Sequence, residues 1–371
     1  MSDAAPPSLD RQRLQEALAL AESSFGLTEP NPRVGCVIGS EDGRVFGRGA
    51  TQQAGGPHAE VMALRDAAQA GHDVRGATAW VTLEPCAHHG RTPPCCDAVI
   101  AAGVARVVIA LADPFPQVNG AGIARMRASG IEVVMADAAM QSAAHDINVG
   151  FFSRVQRGRP WVRLKIAASL DGATALSNGA SQWITGVDAR RDGHAWRRRA
   201  SAVLTGIGTV LADDPRLDVR LVPTPAQPLR VVLDSHFRLP PTARLLAPPG
   251  SVLVCGLADS DAARALSERG AQILLAPATQ GRIDLPALMQ TLAARGVNEL
   301  HVEAGATLNG AQLQAGLVDE LLLYLAPTML GPGRPMAALG ALDSLAQGLP
   351  LQWLDAVPVG ADMRLRARTL P

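Results

Sequence analysis

The chain has 371 residues, with 34 Lys plus Arg balancing 34 Asp plus Glu and only 3% aromatic residues. The length exceeds what one hydrophobic core organises and points to two domains. Zero net charge excludes a global field for nucleic acid or anionic membrane, scarce rings leave few stacking platforms for single strands, and no run nears 18 uninterrupted apolar residues.

The opening "MSDAAPPSLDRQRLQEALALAESSFG" carries acids and an amphipathic helix where a signal peptide needs a basic head and an apolar core, so a cytoplasmic protein is expected. After that helix (10–25) come strands "RVGCVIGS" and "RVFGRGA", a helix from His58 to about 70, and strand "ATAWVTLEP". A helix from Pro94 to Ala102, strand "RVVIALAD", a helix near 121–129, strand "EVVMA" and a helix near 138–149 complete the first half. Helices covering both faces of a central sheet are implied. At "FFSRVQRGRPW" basic residues, a glycine and a proline interrupt the pattern, which places a boundary near 158. Beyond it run "WVRLKIAASLDG", "SAVLTGIG", "PLRVVLDS", "SVLVCG", "AQILLAP", "ELHVEAG", "ELLLYLAPTMLG" and "MRLRARTL", with helical patterns near 187–199, 260–269, 284–295 and 306–315. This is a second α/β domain with a large sheet.

Of five cysteines, three cluster within 86–96, which in a reducing compartment favours metal binding or catalysis over disulfides. Cys36 and Cys255 sit in apolar strand-like runs and are expected to be buried. Zinc activates water when three protein ligands leave a fourth position open. His58 at a helix start, Cys86 after the strand ending "LEP", and Cys95 in the first turn of the next helix supply such a set. A helix N-terminus stabilises a thiolate at Cys95. Glu60 is the spare acid that zinc deaminases place two residues after the ligating histidine to carry a proton. "HAE" followed by "PC" fits that pattern, but eight residues, "AHHGRTPP", separate the cysteines where the general motif has two.

Blander readings stand beside this one. H-A-E alone is commonly an exposed histidine with a capping acid, and Cys86 with Cys95 could form a structural zinc site with His88 or His89. The three features in this order point instead to catalytic zinc. Adjacent Cys95 and Cys96 cannot comfortably bind one tetrahedral ion, so one is a bystander. In the second half neither G-x-G-x-x-G nor a Walker sequence occurs. "HVEAGATLNGAQL" runs a strand through Gly305 into a helix whose N-terminus can approach a cofactor phosphate.

The segments "PNPRVGCVI" (30–38), "GGPHAEVMAL" (55–64), "VTLEPCAHHGRTPPCCDAVI" (81–100), "LKIAASLDG" (164–172), "SQWITG" (181–186), "TGIGTVLADDPRLDVR" (205–220), "VVLDS" (231–235) and "VEAGATLNGAQLQ" (302–314) resemble the signatures of the bifunctional riboflavin-biosynthesis deaminase-reductases. The likeness spans nearly the whole chain, and the eight-residue cysteine spacing belongs to it. It implies an N-terminal cytidine-deaminase-like three-layer α/β/α domain (1–158) and a C-terminal dihydrofolate-reductase-like α/β domain (159–371). The first would be a zinc-dependent pyrimidine deaminase with Zn2+ on His58, Cys86 and Cys95 and Glu60 as proton carrier. The second would be an NADPH-dependent reductase of the ribosyl group.

The resemblance also implies substrate contacts in the deaminase from Asn31, His88, Arg91 and Asp113. The family's "DPNP" reads "DPFP" here, with Phe115 in place of an amide and Asn119 nearby as a possible substitute. In the reductase it implies NADPH contacts from Ala167, Trp183, Thr209, Asp213, Ser235 and the run Gly305, Ala306, Thr307, Leu308, Asn309, Gly310, Ala311. Substrate contacts there would be Lys165, Ser181, Arg197, Leu217, Arg220 and Glu303. Lys165 and Asp171, flanking the "AAS" turn, are expected near the reacting carbon, and of the basic cluster "RRDGHAWRRR" (190–199) Arg197 alone is expected to turn inward. The expected partners are small-molecule pyrimidine ribosyl phosphates and further copies of the chain, with no nucleic acid and no membrane. A deaminase with a nucleic-acid-binding second domain conflicts with the neutral charge and scarce aromatics, and a structural zinc scaffold has no use for Glu60.

Overall fold

The computed structural model describes residues 8–90, 93–115 and 119–370. The chain divides into two compact units, Met1–Arg157 and Gly158–Pro371.

The first unit runs α1 (Leu9–Ser23), β1 (Gly35–Gly39), β2 (Val45–Ala50), α2 (Ala59–Gln69), β3 (Thr78–Val81), α3 (Cys95–Ala101), β4 (Arg106–Ile109), α4 (Ala121–Ala128), β5 (Glu132–Met135), α5 (Ala138–Ile147) and α6 (Val149–Arg157). Its sheet has the order β2-β1-β3-β4-β5, antiparallel between β2, β1 and β3 and parallel from β3 to β5. Strand residues alternate between two cores, as a period of two requires. Cys36, Ile38, Ala79, Val81, Val107 and Ile109 meet α2, α3, α4 and α6. Val37, Trp80 and Val108 meet Leu14, Ala17 and Ala21 of α1 and Met140 and Ala144 of α5. A Cβ on Gly49 would lie 2.1 Å from the Ala59 carbonyl, so the glycine lets the start of α2 press onto β2. That contact seats His58 and Glu60. The basic stretch read as an interruption from residue 151 is still helical as far as Arg157: Phe151 and Phe152 anchor α6 in the core, Arg154 lies half-buried over the Phe151 ring and Arg157 is exposed.

The second unit runs β6 (Trp161–Ser169), β7 (Ala173–Leu176), α7 (Val187–Arg199), β8 (Ala202–Gly206), α8 (Ile207–Asp213), β9 (Leu229–Leu233), β10 (Val252–Gly256), α9 (Asp261–Glu268), β11 (Gln272–Leu275), β12 (Ala278–Thr279), β13 (Arg282–Ile283), α10 (Leu285–Ala294), β14 (Glu299–Val302), α11 (Ala306–Gln314), β15 (Glu320–Ala326), β16 (Gly333–Pro335), β17 (Leu351–Val359) and β18 (Asp362–Thr369). Nine strands form one sheet in the order β11-β10-β9-β8-β14-β6-β15-β18-β17. The first seven are parallel, and β18 and β17 join antiparallel. One face packs Leu164, Leu204, Val231, Leu253 and Leu300 against α10 and α11. The other is apolar under α8 and α9, where Val232 and Val254 meet Val210 and Leu266. Under α7 the same face carries charges.

There Arg163, 1% exposed, bridges Glu299 (2.8 Å) and Glu320 (3.1 Å). Glu299 also holds Arg199 at 2.9 Å and Glu320 holds Arg366 at 2.7 Å. The Trp196 ring lies beneath the Arg163 and Arg366 guanidiniums, 4.5 and 4.8 Å from its centre. "WVRLKIAAS" is therefore one continuous strand rather than a strand broken by an "AAS" turn; the turn follows at Leu170–Gly172. Among the described residues no helix is long and apolar enough to cross a membrane.

Candidate functional sites

His58 occupies the N-cap of α2 in an extended conformation and makes no capping bond, which leaves its ring free to turn toward the sulfurs. Its Nδ1 lies 3.7 Å from Cys86 Sγ and 3.2 Å from Cys95 Sγ. The three donor atoms all fall within 4.8 Å of one another, the one such group among the described residues. Zinc with Zn–S near 2.3 Å and Zn–N near 2.0 Å needs tetrahedral donors about 3.5–3.8 Å apart, so the set fits the ion. The Cys95 amide donates to Cys86 Sγ at 3.3 Å, adding helix-start stabilisation to a thiolate. Hydrogen bonds from Cys95 and His58 hold Cys86 down at about 4 against burial, while sharing that proton with Cys86 pushes Cys95 up. Cys96 turns into the hydrophobic core and is the bystander of the adjacent pair. Cys36 and Cys255 are fully buried, and all five thiols are free.

Glu60 sits in the first turn of α2, 4% exposed. Burial, then the neighbouring Cys86, pushes its carboxyl up to about 7. A buried acid poised near neutrality is what proton transfer requires. Asp113 is also buried, and burial pushes it up to about 6. The His88 ring packs against Phe115, centroids 6.1 Å apart, so the residue that departs from the "DPNP" pattern supplies an aromatic wall. The buried His88 Nδ1 has no partner among the described residues. Asn31 is half-buried and its amide donates to the Thr28 carbonyl at 2.9 Å. Asn119 is exposed. Arg91 lies outside the described residues.

In the second unit the expected residues gather at the carboxyl ends of the parallel strands. β8 and β14 are neighbours, yet the chain leaves β8 toward β9 and leaves β14 toward β15 on the other side. Ligands of open α/β sheets bind at such a reversal. Thr209 of α8 faces Gly305, the N-cap of α11, and a Cβ there would sit 3.8 Å from Thr209 Oγ1. No side chain caps α11, so its first amides are left for a phosphate, and the site fits a nucleotide cofactor. Leu308 packs on Gly206. The end of the run turns elsewhere: Asn309 Nδ2 donates to the Met336 carbonyl at 2.8 Å, and a Cβ on Gly310 would lie 2.2 Å from the Ala338 carbonyl. Ser235 follows β9, and Ala167 lies on β6. Ser181 Oγ is 3.4 Å from Asp213 Oδ1, joining an expected substrate contact to an expected cofactor contact. Trp183 is 66% exposed with the Arg190 guanidinium 4.6 Å over its ring.

Two expectations for this half need correction, that Arg197 alone turns inward and that Asp171 lies near the reacting carbon. Arg197 turns inward, but onto Glu303: its Nε donates to Oε1 and its Nη2 to Oε2 at 2.8 Å, so two expected substrate contacts hold each other. Arg199 also turns inward, to Glu299, so Arg197 is not alone. Asp171 accepts from Ser169 Oγ and from the Leu330 and Gly331 amides, which makes it a loop tie exposed at the surface. Lys165 remains beside Glu303, its pKa lowered by burial. Burial opposes ionisation of Glu303 as well, but Arg197 outweighs it and holds the carboxyl well below its ordinary value. Leu217 is buried as a whole residue, and its φ of 54° is left-handed. Asp218 gathers Arg216 (2.8 Å) and Arg220 (2.6 Å), and its carbonyl accepts from Arg197 Nη1. Arg216 was not among the expected contacts; that Asp218 holds it beside Arg220 is visible only once the loop folds.

A histidine, two sulfurs and a buried carboxylate at a helix start in an α/β/α unit define a cytidine-deaminase-type zinc enzyme, here joined to a second α/β domain with a nucleotide cradle. Residues 7–111 match the cytidine and deoxycytidylate deaminase zinc-binding region, and residues 160–364 match the RibD C-terminal domain. The chain belongs to the RibD family of riboflavin-biosynthesis proteins. It is 46% identical to riboflavin biosynthesis protein RibD of Escherichia coli strain K12, over 96% of this chain and 98% of that one. Among solved structures, Acinetobacter baumannii RibD superposes with a TM-score of 0.87 at 42% identity, covering 98% of this chain and 99% of that one. The diaminohydroxyphosphoribosylaminopyrimidine deaminase/5-amino-6-(5-phosphoribosylamino)uracil reductase of Thermotoga maritima gives 0.86 at 31% identity with the same coverage. The chain is accordingly a bifunctional deaminase and reductase of riboflavin biosynthesis, with Zn2+ and NADPH as its cofactors.

Proposed function

We propose that the first domain, to about residue 158, removes the 2-amino group of 2,5-diamino-6-ribosylamino-4(3H)-pyrimidinone 5′-phosphate as ammonia. The second domain, from 159, then reduces the ribosyl group of 5-amino-6-(5-phosphoribosylamino)uracil to ribityl. The grouping of His58, Cys86 and Cys95 donor atoms within 4.8 Å, beside buried Glu60, is the observation that carries the first assignment. Held by those three residues, zinc supplies a Lewis acid that brings water toward ionisation near neutral pH. Glu60 accepts one proton from the water and delivers it to the ring nitrogen, then carries the second, from the added hydroxyl, to the amine as the C–N bond breaks and the carbonyl forms. Asn31, His88, Arg91 and Asp113 orient the ring and its substituents, with Phe115 walling the ring side of His88.

In the second domain NADPH supplies the hydride. Thr209, Ser235 and the start of α11 from Gly305 to Leu308 cradle it, with Ala167, Trp183 and Asp213 alongside. Arg220 and Arg216, both partly exposed around Asp218, receive the substrate phosphate as paired guanidiniums. Lys165 and the Arg197–Glu303 pair position the sugar, with Ser181 and Leu217 at its margin. Glu60→Gln and removal of zinc test this assignment: each should stop ammonia release and spare reduction of supplied deaminated intermediate.

The homo-oligomer is proposed to form through β17. This edge strand exposes Trp353 (62%) and Leu351 (39%), and Leu345 just before it is wholly exposed. Exposed apolar side chains on an edge strand, here bulged between Trp353 and Asp355, offer a seam to another copy. Trp353→Asp places a charge in that seam and should convert the oligomer to monomer in light scattering. A wild-type chain that is already monomeric contradicts the proposal. Five free thiols favour the reducing cytosol as the compartment.

A further inference from the structure

The loop that carries the metal ligand Cys86 and the loop that carries Asp113 leave different strands, and one side chain joins them. Glu84 follows β3, two residues before Cys86, and is 3% exposed. Its Oε1 accepts from the Gly122 amide at 2.9 Å and the Ile123 amide at 3.1 Å. Its Oε2 accepts from the Gly120 amide at 3.0 Å and the Asp113 amide at 3.2 Å. These four bonds fill the carboxylate's acceptor capacity. Three of the donors are amides at the start of α4, which lack helical partners and favour a negative charge. The fourth belongs to Asp113. A Cβ on Gly122 would lie 2.1 Å from the Pro85 carbonyl, so the helix start is pressed against the Glu84–Pro85–Cys86 backbone.

Asp113 is fixed in turn by its own Oδ1, which accepts from the Phe115 amide at 2.8 Å. Among the described residues its Oδ2 has no hydrogen bond. A short Ser or Asn would suffice to cap a helix. A longer acid reaching from another strand, with one oxygen divided between the helix start and Asp113, ties two walls of a site together.

We propose that Glu84 is a positioning residue for deamination: it locks the Asp113 backbone to the ligand-bearing end of β3, so that the Asp113 carboxylate is presented at a fixed place beside the metal pocket. This rests on the reading of Asp113 as a substrate contact. Glu84→Gln keeps the shape but turns an NH2 toward amide donors, so at least one of the two ties opens.

The test uses the full chain and compares Glu84→Gln, Asp113→Asn and the double variant for ammonia release, zinc content and NADPH-dependent reduction of the deaminated intermediate. Glu84→Gln should retain zinc and reduction while deamination kcat/KM falls roughly 10- to 100-fold, mainly through KM. The double variant should lose no more than Asp113→Asn alone, because one residue acts through the other. Losses that multiply, or an unchanged KM in a folded Glu84→Gln, overturn the proposal. If Asp113→Asn leaves deamination intact, the reading of Asp113 is what fails. Should Glu84→Gln not fold, Glu84→Asp, which keeps the charge but is one methylene shorter, takes the same measurements. If neither holds zinc, Glu84 serves folding rather than positioning, and the proposal falls.

Discussion

Glu60→Gln is expected to lower ammonia release by about 10²- to 10⁴-fold, the range attributable to one positioned proton carrier. Zinc content and folding should be unchanged. The amide is nearly isosteric, it keeps an oxygen for hydrogen bonding, and no carboxyl has to be held in a site where burial already pushes Glu60 up to about 7. The His58, Cys86 and Cys95 set is intact in this variant, so a metal assay separates loss of the proton carrier from loss of the ion. Reduction of supplied deaminated intermediate should proceed at the normal rate. Ammonia release that survives the substitution would remove Glu60 from the proposed chemistry.

The second large effect is on stability. Arg163→Leu should destabilise the second unit by about 3 kcal/mol, the low end of the range for breaking a buried ion network. The low end applies because Glu299 keeps Arg199 and Glu320 keeps Arg366. For a unit of this size the loss corresponds to a fall in Tm of roughly 6–12 °C, measurable by calorimetry. A fall below about 2 °C would mean that water or rearrangement compensates both acids. The same network fixes a pH dependence. Burial opposes ionisation of Glu320, but Arg163 and Arg366 outweigh it and hold the carboxyl at about 2. A depressed carboxyl contributes stability that is complete above its unfolded value near 4.5 and is lost as pH falls from there toward 2. Thermal unfolding of wild type should show that acid loss, and Glu320→Gln should flatten it.

Much of the deaminase site was legible in the sequence because its chemistry is local. His58 and Glu60 share one helix start, and Cys86 and Cys95 bracket one loop, so the spacing and the residue types carry the ligand set. What linked the set to the rest of the domain was not legible. Glu84 reads as an ordinary strand-end acid until α4, almost 40 residues later, brings its amides to it. Cys95 was the ligand the sequence offered, at the first turn of its helix, and the helix phase adds the reason Cys96 is the bystander: it turns into the core.

The second half was harder for a physical reason. Its strands alternate apolar residues with Arg163, Lys165, Glu299, His301 and Glu303, and these charged positions share one face only because β6 and β14 pair with Arg163 opposite His301. From composition alone the arginines of 190–199 read as solvated, whereas buried acids of the sheet draw Arg197 and Arg199 inward. The run "SAVLTGIG" carried the expected strand two residues too far, through Gly208, and α8 was not expected; the chain turns at Gly206 into that helix. β17 was missed because Asp355 and Pro358 interrupt its alternation, features tolerated at a sheet edge.

The central claim is that zinc on His58, Cys86 and Cys95 serves deamination alone while a separate cradle serves reduction. One sample tests it most directly: zinc is stripped from the wild-type chain with a chelator, then ammonia release and NADPH consumption on supplied deaminated intermediate are followed together. Ammonia release should stop while NADPH consumption continues, and added zinc should restore the former. Deamination that persists in the metal-free chain would contradict the account.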